Sequence, residues 1–276
     1  MTGRRLAAGR ERFMKIGFIG CGNMATGMIR GILSSGFSTR EDLAASARTE
    51  KTRESIQREL GILCASNEAV AAGSDLLVLA VKPQMYAEVI AGIRDFVRDS
   101  ALIVSIAPGK SLAWLSGQFG RELKIVRAMP NTPAIVGEGM AGISPNSLVT
   151  EADLRLVLAL FGSFGKALAV PEHLLDVVTA VSGSSPAYVF LFIEAMADGA
   201  VALGMPRAQA YECAAQAVLG SAKLVLESGM HPGQLKDMVC SPGGTTIEAV
   251  RVLEEKGLRS GVIEAELACA RKAREM

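Results

Sequence analysis

Two short glycine-bearing stretches carry residue types and spacings suited to chemistry. The first is Ile16-Gly17-Phe18-Ile19-Gly20-Cys21-Gly22-Asn23-Met24-Ala25, an apolar run, a tight turn and a helix start. Gly20 permits the turn, Gly22 lets a pyrophosphate approach bare backbone, and Ala25 lets the helix pack against the strand. The helix start then offers free N–H groups and a positive dipole to the phosphates. The second is Cys240-Ser241-Pro242-Gly243-Gly244-Thr245-Thr246-Ile247-Glu248. Two glycines and two threonines opening a helix make a nest of N–H donors suited to a small carboxylate, where capping alone needs a single Thr.

Three more loops follow predicted strands: Ala80-Val81-Lys82-Pro83, Ser105-Ile106-Ala107-Pro108-Gly109 and Arg127-Ala128-Met129-Pro130-Asn131-Thr132-Pro133. Ligands of open α/β sheets bind outside the carboxyl ends of the strands, so these loops would line one cofactor crevice. The end of the second strand bears on the cofactor. Ala45-Ser46-Ala47-Arg48-Thr49, with Lys51 and Arg53 beyond, holds no acid for a ribose 2′-OH. Ser46 and Arg48 suit a 2′-phosphate, which favours NADP(H) and leaves NAD(H) open; the alternative is that Arg48 and Lys51 only start a solvated helix. Val181-Ser182-Gly183-Ser184-Ser185-Pro186 precedes a long helix, which Ser184 or Ser185 would cap with Pro186 in the first turn.

The elements that position these residues fall into two kinds. Patterning predicts strands at 15–19, 43–46, 62–65, 75–81, 102–106 and 124–127, alternating with helices at 23–33, 50–60, 84–97 and 112–119. Apolar rather than alternating strands mean a parallel sheet covered on both faces. Beyond Val170 the segments read as helices, at 186–203, 207–228, 246–255 and 260–274, with Gly204 closing one and Pro206 starting the next. The expected fold class is α/β: a Rossmann-like parallel-sheet domain at 14–170, then an all-α dimerisation and substrate domain at 171–276. Residues 1–13 hold four arginines and no apolar stretch; they read as a disordered extension, not a secretory signal. The later helices are rich in Ala and Gly on more than one face, more apolar surface than so small a domain covers, so a homodimer is expected.

Composition narrows the function classes. Charge is balanced, with 29 basic and 28 acidic residues, so no nucleic-acid partner is expected. No apolar run approaches the roughly 18–20 residues of a membrane span, so no membrane partner is expected either. Five scattered cysteines without a CxxC pair point to a reducing compartment, the cytoplasm. His173 and His231 join no metal-ligand or Ser-His-Asp set, and no metal is expected; His231, before Pro232, marks a helix start. Nicotinamide chemistry needs neither kind of site.

Residues 16–25, 80–83, 127–133, 181–194 and, most specifically, 231–253 together resemble the bacterial pyrroline-5-carboxylate reductases. The resemblance runs from Met14 to about Arg274. It implies NAD(P)H-dependent reduction of the cyclic imine L-1-pyrroline-5-carboxylate to L-proline, the last step of proline biosynthesis. It also implies an interlocked helical dimer and assembly of dimers up to a decamer. Cofactor contacts implied by it are Ile19, Gly20, Cys21, Gly22, Asn23, Met24, Ser46, Ala47, Arg48, Asn67, Ala80, Val81, Lys82, Pro83, Ser105, Ile106 and Ala107. Substrate contacts are Gly243, Gly244, Thr245 and Thr246, with Thr246 and Ser241 as the catalytic hydroxyls. Pro108 departs from the small residue usual at its position, and Gly229 from the Glu some relatives carry. β-Hydroxyacid dehydrogenases pair the same kinds of domain but use a GxxxKxxxN helix, for which Lys223 stands at the wrong spacing from Gly220. An NADP-sensing regulator without turnover would not need the 241–246 loop.

Overall fold

The structure is a computed structural model describing residues 14–275; the extension expected at 1–13 lies outside the described residues. The chain forms two compact units, one running to Gly183 and taking in the C-terminal residues from Lys272, the other Ser184–Arg271. Residues 171–183 stay with the first unit because its sheet holds them. Arg127 pairs with Glu172 at 2.8 Å, and Asn131 Nδ2 donates to the Ser182 carbonyl at 2.9 Å.

The first unit is built on one eight-stranded sheet. Its strands are β1 (Ile16–Ile19), β2 (Leu43–Ser46), β3 (Leu63–Cys64), β4 (Leu76–Leu79), β5 (Leu102–Ser105), β6 (Lys124–Met129), β7 (Gly139–Pro145) and β8 (Gly165–Ala169). They lie in the order β3-β2-β1-β4-β5-β6-β7-β8. The order reverses direction at β1 and β4, the switch point of a doubly wound sheet. All neighbours are parallel except β6 and β7. The continuous apolar strands follow from burial on both faces. Leu76 and Val78 of β4 enter the core shared with helices Asn23–Ser34 and Glu151–Gly162, while Leu77 and Leu79 enter the core under Tyr86–Ile93 and Leu112–Phe119.

Strands β7 and β8 and the helices Asn67–Gly73 and Glu151–Gly162 were not expected. β7 contains Gly139, Gly142 and a terminal Pro145, and β8 begins at Gly165, all of which read as loop signals. Close packing requires these glycines: a Cβ on Gly165 would lie 2.1 Å from the Gly139 carbonyl oxygen, and one on Gly142 would lie 2.9 Å from Val178.

The second unit is helical: Ser185–Ala202, Arg207–Ser228, Pro232–Val239 and Thr245–Glu255, with Leu258–Arg274 running out of it. It buries little of its own apolar surface. Phe190, Leu191, Leu203 and Met238 are 63–91% exposed. One expectation fails here. Helical turns run without a break over Glu172–Ala202, 31 residues with an 18-residue window of mean hydropathy 1.4, long and apolar enough by length and composition to cross a membrane. The Ser and Gly residues at 182–185 looked like an interruption, but the chain passes through them as helix, in part π-helical.

Candidate active site

The carboxyl ends of β1, β2 and β4 converge on the glycine turn. Gly20 sits at φ +88°, and a Cβ there would lie 2.7 Å from the Val81 side chain and 3.1 Å from the Ala80 carbonyl oxygen. The Gly20 N–H donates to Ser46 Oγ at 3.2 Å, so the buried Ser46 ties the end of β2 to the turn. Helix Asn23–Ser34 starts after Gly22 with no side-chain cap and no acid in its first turn, and nothing lies within 4 Å of where a Gly22 Cβ would be. An uncapped helix start beside open space is what a phosphate completes. Ala25 is fully buried, as close helix–strand packing demands.

Beside the turn lies a cavity of about 340 Å³. Of the expected residues, Gly20, Ser46, Ala47, Arg48, Asn67 and Val81 line it; so do Arg53, Glu68 and Glu88. Arg53 was not singled out as a contact, although one helical turn beyond Thr49 returns a side chain to the strand end. Its Nε donates to the Ala47 carbonyl at 2.9 Å and its Nη1 pairs with Glu50 at 3.5 Å, which holds the guanidinium at the cavity wall; Arg53 and Arg48 are both exposed. Two guanidinium groups, a bare glycine turn and an uncapped helix fit a dinucleotide carrying an extra phosphate.

The other expected residues lie outside this cavity. Ile19 is fully buried and offers backbone, accepting the Ala80 N–H at 2.9 Å. Cys21 is buried, burial pushes its thiol pKa up, and its Sγ sits 3.7 Å from Thr26 Oγ1; that is a packing thiol, not a reactive one. Asn23 is exposed and Met24 half-buried in the first helical turn. Half-buried Ala80, exposed Lys82 and half-buried Pro83 form the loop after β4. Ser105 is 1% exposed and its hydroxyl donates inward to Tyr86, leaving only backbone to face a ligand. Ile106 and Ala107 continue that rim, with the Ile106 N–H on the Leu79 carbonyl at 3.3 Å.

In the second unit, helix Pro232–Val239 ends at Cys240 and helix Thr245–Glu255 begins after Gly244 with no side-chain cap. The turn between them closes through the Gly244 N–H on the Ser241 carbonyl at 3.0 Å. Gly243 sits at φ +67°, and a Cβ on Gly244 would fall 2.3 Å from Ser241 Oγ, so the loop demands both glycines. Ser241, Gly243 and Thr245 are exposed, and Gly244 and Thr246 half-buried. His231 caps its helix through Nδ1, which accepts the Gly233 N–H at 3.0 Å. Gly229 ends helix Arg207–Ser228 at φ +64°, a left-handed position that a Glu would occupy only with strain. Among the described residues, no group of three His, Cys, Asp or Glu side chains is placed to hold a metal.

Comparison with known proteins decides the family. A model for pyrroline-5-carboxylate reductase dimerisation matches residues 172–276, and one for NADP oxidoreductase, coenzyme F420-dependent, matches 15–109. The pyrroline-5-carboxylate reductase of Escherichia coli K12 is 51% identical over 263 residues, covering 95% of this chain and 98% of that one. The chain belongs to the pyrroline-5-carboxylate reductase family. Two solved pyrroline-5-carboxylate reductases share its fold along nearly the whole length. The one from Coxiella burnetii matches with a TM-score of 0.89 at 33% identity, over 96% of this chain and 98% of that one. The one from Plasmodium falciparum, described with NADP bound, matches with a TM-score of 0.87 at 34% identity, over 97% and 99%.

Proposed function

We propose that this chain reduces L-1-pyrroline-5-carboxylate to L-proline in the cytoplasm with NADPH as the preferred reductant, NADH serving less well, and without a metal. The observation that carries this reading is that the family match spans both a dinucleotide cradle and a doubly glycine-opened helix start on one chain. In this reading 14–170 binds the dinucleotide and 171–276 supplies dimerisation and substrate binding, with dimers assembling up to a decamer.

Arg48 and Arg53 bind the 2′-phosphate, and the Gly22 helix start binds the pyrophosphate. The N–H groups of Gly243–Thr246 hold the substrate carboxylate. The Thr246 hydroxyl hydrogen-bonds the imine nitrogen, with Ser241 beside it in the same turn. When bound, the reduced nicotinamide supplies the hydride that the imine carbon accepts. A cyclic imine takes up its proton from water near neutral pH, so the chain's residues need only orient it and exclude wrong geometries. Purified protein should oxidise NADPH only when the imine is added, with one proline formed per NADPH. NADPH binding without proline formation would overturn the assignment.

A further inference from the structure

A buried phenol sits where the loops after β4 and β5 meet. Tyr86 opens helix Tyr86–Ile93 directly after the turn Pro83–Met85, and it is fully buried. Its hydroxyl donates to the carbonyl oxygen of Leu79, the last residue of β4, at 2.6 Å. The same oxygen accepts from Ser105 Oγ, at the end of β5, at 3.3 Å. Ser105 Oγ lies 3.5 Å from the Ala107 N–H that it accepts. Leu79 and Ser105 are also partners in the sheet register. A Phe would fill the same core space, so packing does not explain the hydroxyl. What the hydroxyl adds is a chain of hydrogen bonds that fixes one loop against the other, in a site where low polarity strengthens each bond.

A dinucleotide straddles the switch point of a doubly wound sheet, one half on each side. The cavity with Arg48 and Arg53 is walled by the ends of β1–β3 and also by Val81, Met85 and Glu88 after β4, which leaves the loop after β5 to the nicotinamide half. On the strength of the NADP(H) reading above, we propose that Tyr86 is a positioning residue. Its hydroxyl fixes the loop at 105–109, which takes the nicotinamide end of the cofactor, against the end of β4.

The test uses Tyr86→Phe, which keeps the ring, and Ser105→Ala, which breaks the same chain one bond further on. Calorimetry would give dissociation constants for NADPH and for 2′,5′-ADP, which carries only the adenosine end. Each variant should weaken NADPH binding about tenfold, the double variant little more than either single one, and 2′,5′-ADP binding should weaken much less. Unchanged NADPH affinity in Tyr86→Phe would overturn the proposal. Equal weakening of both ligands would also overturn it, since a general loss of structure does not distinguish the two ends. Native protein that binds 2′,5′-ADP but not NADPH would contradict the nicotinamide placement. Native protein that binds neither would remove the cofactor reading itself, and this inference with it.

Discussion

Arg53 and Arg48 stand at one cavity wall but differ in what their surroundings have already fixed. Arg53 is held by its bond to the Ala47 carbonyl, so little side-chain freedom remains to be lost when it meets a phosphate, whereas Arg48 must be ordered from solvent. Arg53→Ala should lower kcat/KM for NADPH by about tenfold or more while leaving NADH nearly unchanged, and Arg48→Ala should do the same more weakly. Parallel steady-state kinetics with both cofactors would check this; an equal loss with NADPH and NADH would place Arg53 in folding, not selectivity. At Gly20 the backbone itself is the constraint. Gly20→Ala adds a left-handed penalty of roughly 1–2 kcal/mol and a Cβ pressed on Val81 and the Ala80 carbonyl. It should lower the urea midpoint and weaken NADPH together.

Elements with a strong local signal were legible, and those defined by contact with distant residues were not. Strands β1, β4 and β5 are unbroken apolar runs because both faces are buried, and their loops follow. β7 and β8 rely on glycines whose need appears only when Phe164, Val178 and the facing strand are in place. The same division holds at the site. Gly20, Gly22, Gly243 and Gly244 announced themselves by spacing, but neither the inward turn of Ser105 nor the bond that aims Arg53 has any local signature. Helix Glu151–Gly162 does carry a local start signal, for Thr150 and Asp153 form a capping box. Thr150→Ala should cost about 1 kcal/mol in urea unfolding. Burial raises the Asp153 pKa, but the Lys124 ammonium at 2.8 Å and the Thr150 hydroxyl and N–H more than offset it, and the net shift is downward. A carboxyl whose pKa is depressed on folding contributes stability above its unfolded value, near 3.9, and loses it as pH falls through the lower folded value. The destabilisation caused by Asp153→Asn should therefore be present at about pH 7 and shrink below about pH 4.

For the whole molecule, the second unit exposes more apolar surface than a lone soluble unit of its size carries, including Phe190, Leu191 and Leu203. The match of residues 172–276 to a dimerisation family accounts for it. A second copy covering these helices would also give the apolar run Glu172–Ala202 a use without a membrane. Sedimentation should show a dimer or a multiple of it at micromolar concentration, and Leu191→Glu should shift the distribution toward monomer with a lower, concentration-dependent Tm. The central claim is that this chain makes proline with the glycine-opened loop of its second unit. The most direct measurement is proline formation by native protein and by Thr246→Ala, with NADPH oxidation followed in the same assay. The account predicts rapid, stoichiometric proline formation by native protein and a kcat lowered about tenfold or more in the variant, with NADPH affinity unchanged. Proline formation at an undiminished kcat by Thr246→Ala, or none by native protein that binds NADPH, would contradict it.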